Sequence, residues 1–250
     1  MLIKRYKKHP HFIFFLSAIL LFTGIAGCSG NDNDDNDNQE LSATQREAID
    51  YFKEIALGFE LGSASEITRK WDEDMVIYVG GEKKDYLMTE LEDVILELNE
   101  MLAADGVEIR TTADSSRSNF YLFLGSGQEF EDRFEPARGQ TANNYGLFWV
   151  YWNSRNELNR GAMYVDLYRP EQVNQLHLLR EELTQSLGLA KDSPKYQNSI
   201  FQSSYSGSVT EYSDLDKALI SLLYHPEMDT GLNASEVEPV LERIVTEVVD

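Results

Sequence analysis

The sequence predicts an α+β domain: a mixed, twisted sheet of about five strands, packed helices, and a small helical part at the C-terminal end. Three observations predict it. An apolar helical face recurs early, at Ala48, Ile49, Phe52, Ile55, Ala56 and Phe59. Short apolar runs with turn residues around them follow over the next hundred or so residues. The stretch from His177 to Leu189 then reads as one more helix, with Leu176, Leu179, Leu183 and Leu187 in a stripe.

Each element has its own signal. Ser42 with Gln45 has the form of a capping box and starts a helix that runs to about Glu60. Met75–Val79 is a strand closed by Gly80-Gly81. Thr89 with Glu92 caps a second helix, whose Val94, Ile95, Leu98 and Leu102 face inward. Val107–Thr112 is a strand, Asp114–Ser118 a turn, and Phe120–Leu124 the next strand. Residues Gly125–Asn144 are polar, with one short helical turn at Phe130 and Phe134. Tyr145–Trp152 is an aromatic strand, buried or at an edge, and a turn at Ser154–Asn159 leads to a last strand at Ala162–Tyr168. In the helix that follows, Pro170 suits a first turn and Gly188 a left-handed cap.

The chain has 250 residues and a formal net charge of -21. Its first 27 residues hold Lys4, Arg5, Lys7 and Lys8 and no acid. Such an acidic remainder repels phosphate backbones, and no basic stripe is present, so nucleic acid is excluded as a partner. A single cysteine allows no intramolecular disulfide, so the fold rests on its apolar core.

Lys4–Lys8 form a basic region, Phe12–Phe22 an apolar one, and small residues lead on to Cys28. This is a secretory signal layout over residues 1–27, too short for a spanning helix. Ile25-Ala26-Gly27-Cys28 resembles the lipobox of bacterial lipoproteins. The resemblance implies cleavage before Cys28, covalent lipid on that residue, and membrane attachment in the bacterial cell envelope. Ser29 after the cysteine favours the outer membrane where the source has two. Asn31–Asn38 alternate Asn and Asp, so residues 28–40 read as a lipidated, flexible tether and 41–250 as a single domain.

The polar residues of the Leu183 helix allow two readings. Glu181, Glu182 and Gln185 could line a solvated helix face. They also keep a frame: the helix resembles the His-Glu-x-x-His-x-x-Gly helix of zincin-type zinc peptidases. In that resemblance Glu181 and Gln185 occupy the metal-ligand positions, Glu182 that of the general base, and Gly188 that of the glycine. Lys191 stands where a third ligand would be, and both histidines are missing. The resemblance implies a degenerate zincin-like fold. After the signal only His177 and His225 remain. His177, Glu181 and Gln185 form a helical stripe of weak candidate ligands, so no metal and no cofactor other than the lipid is expected.

From Glu182 onward a second resemblance is more specific. Glu182-Leu183-Thr184-Gln185, Leu187-Gly188-Leu189, Asp192-Ser193, Ser199-Ile200-Phe201, Leu215-Asp216 and Leu223-Tyr224-His225-Pro226 resemble a bacterial family of unknown function, number 2927. It implies no activity. In zincins an extended peptide adds to the edge strand over the cleft; here that strand would be Tyr145–Trp152, with Trp149 and Tyr151 as possible cleft-edge residues. The expectation is a lipid-anchored binding module for a peptide or an envelope protein. The alternative is a metal-dependent hydrolase with atypical ligands and Glu182 as general base.

Overall fold

Ser42 starts the first helix as its spacing predicts: its hydroxyl accepts from the Gln45 N–H while the Gln45 side chain accepts from the Ser42 N–H. A computed structural model describes residues 40–60, 62–204 and 209–250. The signal segment, Cys28 and the tether as far as Gln39 lie outside the described residues. Helix α1 (Ala43–Ala56) stops short of Glu60, because Leu57 turns extended and Gly58 takes φ +99°. Helix α2 (Asp85–Leu102) begins before the predicted cap; Thr89 and Glu92 lie inside it. Its buried face reaches back to Leu87 and Leu91, and that packing carries the helix past the local capping signal.

Among the described residues the six strands are β1 (Lys70–Trp71), β2 (Met75–Gly81), β3 (Ile109–Thr112), β4 (Phe120–Gly125), β5 (Gly146–Trp152) and β6 (Glu157–Asp166). The α+β class expected from the pattern is what the structure has. The strand count exceeds the expected five by β1, two residues too short to leave a pattern. The order is β1-β6-β4-β2-β3, all parallel, while β5 pairs antiparallel with β6. Strand β6 begins well before Ala162, because Asn156, at φ +65°, allows a tight return from β5.

Alternation sends the two faces of the sheet into different cores. Leu122, Leu124, Met163 and Val165 join the main core beside α1, α2 and the helices α4 (Gln172–Gln185), α5 (Asp214–Leu223) and α6 (Ala234–Val248). Phe123, Ala162 and Tyr164 join a smaller aromatic cluster with Phe130 of α3 (Gly127–Arg133). Strands covered on both faces read as nearly continuous apolar runs, which is why β4 and β6 show so little alternation.

Candidate functional site

Helix α4 is enclosed on nearly all sides. Leu179 and Leu183 are fully buried in the main core. On another side Arg180 lies between Glu90 and Glu97 of α2, at 2.9 and 3.0 Å. Gln175 donates to the carbonyls of Leu167 and Pro170, which ties the start of the helix to the end of β6. At the other end the Trp71 indole donates to the Ser186 carbonyl and the Tyr224 hydroxyl donates to that of Leu187. Gly188 then turns the chain at φ +115°, where a Cβ would stand 1.9 Å from the Arg69 carbonyl oxygen. The glycine of the motif frame is therefore required by conformation and by space.

This enclosure corrects the solvated-face reading. Glu181, Glu182 and Gln185 are buried, because the face they occupy is roofed by β5 and by the segment after Gly188. Between α4 and β5 lies a cleft of about 950 Å³. Glu60, Glu181, Glu182, Gln185 and Asp192 supply the acidic end of its polar lining, and Phe59, Phe148, Trp152 and Leu178 much of its apolar lining. Strand β5 and the residue before it contribute a continuous stretch from 145 to 150. Among the described strands it pairs only with β6, so one row of its backbone N–H and C=O groups faces away from the sheet.

Glu182, like Glu181, is 7% exposed. It packs against Gly146, and among the described residues no hydrogen-bond donor reaches it. Burial, then the neighbouring Glu181, Asp192 and Glu60, hold its pKa well above the usual carboxylate range. Asp192 is pushed up to about 7, first by burial and then by Glu181 and Glu60; the Gln185 amide and His177 partly offset this. Gln185 donates to Asp192. The His177 ring sets Nδ1 2.6 Å from the Val209 carbonyl and Nε2 3.2 Å from Glu181. Both nitrogens face acceptors, an arrangement suited to the imidazolium. Burial opposes that charge, but Glu181 and the carbonyl outweigh it and raise the histidine pKa.

The structure thus brings His177, Glu181, Glu182 and Gln185 to one place and adds Asp192, Glu60 and Gly146, which the motif frame did not supply. Lys191 is elsewhere: its ammonium lies 3.3 Å from Glu66, while its neighbour Asp192 enters the cleft. A carboxyl, and not the Lys191 ammonium, therefore stands beside the frame. Trp149 borders the cleft, but its ring packs with Phe130 and Phe134 at 5.5 and 5.4 Å. Tyr151 does not line it, and the Arg160 guanidinium sits 4.5 Å from its ring. Side chains alternate along β5, so Phe148 and not Tyr151 shares the cleft face. His225 is outside the cleft, 3.4 Å from Glu247.

The zinc that the resembled motif would hold does not fit these donors. The one imidazole is committed to Glu181 and Val209, and the Gln185 amide nitrogen is turned to Asp192. Among the described residues no group of three or more His, Cys, Asp or Glu is arranged to hold a metal ion. Beyond Asp192, several of the residues quoted after Gly188 are scaffold. Ser199 donates to Asp216, which also accepts from the Ile200 N–H, and Ser193 N–H bonds the Phe201 carbonyl. These bonds fold the 193–203 segment onto the end of the cleft.

Among solved structures the chain is similar to the crystal structure of metalloproteinase-II from Bacteroides fragilis, at 13% identity and a TM-score of 0.39. The likeness covers 73% of this chain and 61% of that one. No curated protein matches the chain. The family model for a protein of unknown function (DUF2927) matches residues 45–243, which hold the sheet, the cleft and its scaffold, and the chain belongs to that family.

Proposed function

We propose that this is a cell-envelope protein, anchored by lipid on Cys28, whose degenerate zincin-like domain binds an extended peptide or protein segment without a metal. The observation that carries the reading is the open side of β5, lying along a cleft where Glu182 has no donor among the described residues. An added strand would bond to the free backbone row of β5, with alternate side chains entering the cleft. The antiparallel strand over a helix that keeps the motif frame supports the zincin-like reading, and the donor set supports a metal-free one. Among the described residues no helix is long and apolar enough to cross a membrane; attachment is assigned to Cys28 from the lipobox alone.

The hydrolase reading would use Glu182 as general base, and its raised pKa suits that role. Water without a metal keeps a pKa near ~15.7, and one carboxylate does not close that gap. The test is amide hydrogen exchange of the full chain with a library of blocked pentapeptides. Added protection confined to the β5 amides is the expected result. Peptide capture with no protection there overturns the edge reading. One zinc per chain, with peptide cleavage lost in Glu182→Gln, replaces it by the hydrolase.

A further inference from the structure

The cleft gathers four carboxyl groups, Glu60, Glu181, Glu182 and Asp192, of which Glu181 has the His177 imidazole as partner. Among the described residues no lysine or arginine forms an ion pair with Glu60, Glu181, Glu182 or Asp192. The nearby cations are committed elsewhere. Lys191 is on Glu66, and the Arg69 guanidinium lies over Trp152 at 4.4 Å while donating to the Ser65 carbonyl. His177 serves Glu181. Glu182 is 7% exposed, lines the cleft and has no hydrogen-bond partner among the described residues, so a donor brought by a ligand would satisfy it.

We propose that the cleft takes the cationic side chain of the bound peptide, a lysine or arginine, whose head group enters between Glu181, Glu182 and Asp192. The inference rests on the reading of β5 as a peptide-binding edge. Phe148 and Leu178 offer apolar surface to the methylene stem, and the carboxyls offer acceptors to the head group, which is how long basic side chains divide themselves. An organic cation fits better than a metal ion, because it needs acceptors around a hydrogen-bonding head group and not three converging ligands.

Calorimetric titration of the full chain with Ac-Ala-Ala-Lys-Ala-Ala-NH2, and with the norleucine and glutamate versions, tests this. The lysine peptide should bind at least about tenfold more tightly than the norleucine one, and Glu182→Gln should reduce that preference. If Glu182→Gln does not fold, the lysine–norleucine comparison on the unaltered chain decides. Equal binding of the two overturns the cation inference and leaves the edge reading standing. Binding of n-butylammonium while none of the three peptides binds keeps the cation pocket and overturns the edge reading. Binding of none of these probes overturns both. Calcium that competes with the lysine peptide at micromolar concentration would make the site one for an inorganic ion and overturn the inference.

Discussion

Glu182 and Gly146 occupy adjoining space across the cleft: a Cβ at Gly146 would stand 2.7 Å from Glu182 Oε1 and 2.9 Å from Leu178 Cδ2. The edge strand can lie this close to α4 because that position has no side chain. Gly146→Ala should therefore destabilise the fold by about 1–3 kcal/mol, the usual cost of overpacking. Part of the cost should vanish in the double variant with Glu182→Ala. A urea double-mutant cycle measures the coupling, and strictly additive effects would mean the two residues do not touch.

The Asp192 carboxyl gives a pH dependence. Its folded pKa of about 7 lies above the unfolded reference of 3.8. A group raised on folding contributes stability that is full below the unfolded value and is lost as pH rises through the folded one. The window is thus about pH 4–7. Glu182 and His177 are also raised and act in the same sense, while Glu181 and Glu60 supply the negative field. Stability should fall between pH 5 and pH 8. Asp192→Asn keeps an acceptor for Gln185, and should flatten the slope and gain roughly 1–3 kcal/mol at pH 8. Urea melts that show the same slope in both proteins would contradict the assignment.

Gly188 gives a prediction of the opposite character. Its φ of +115° and the 1.9 Å approach to the Arg69 carbonyl leave no room for a methyl group. Gly188→Ala should cost at least about 2 kcal/mol. Thermal unfolding within a degree of the parent would show that the turn relaxes without strain.

The lipid anchor is checked by chemistry at Cys28. The wild-type chain, expressed in a bacterium and fed a palmitate analogue, should incorporate label, and Cys28→Ser should not. Equal labelling of the two would remove the lipoprotein assignment.

Helices α1, α2 and α4 and strands β2–β6 were legible because each carries a cap, a helical period or an apolar run between turn residues, whereas α5 and α6 were foreseen only as a helical C-terminal part. Their limits were less so. Burial extended α2 four residues beyond Thr89, and only the sheet reveals β1. At the site, the frame Glu181–Glu182–Gln185–Gly188 marked the right turn of helix, yet the polarity pattern suggested exposure. That β5 lies over that face was implied only by the zincin resemblance, not by the pattern of the residues themselves. Asp192 was visible as a family residue, but counting along a zinc motif points to Lys191, and only the path after Gly188 shows which neighbour turns inward. Gly146 carried no signal beyond being a glycine before an aromatic run.

The sheet order also sets the sequence of events in folding. Strand β6 is the last strand made, yet β1, β4 and β5 all pair with it. A chain that ends before Glu157 leaves Trp71, Phe120 and Leu122 without their covering partner, and the edge strand without a sheet to be the edge of. Non-local pairing of this kind is slow to form, because long loops must close before contacts repay them. The cleft, its open edge and the helix beneath it therefore arise together, late, and only in a nearly complete chain.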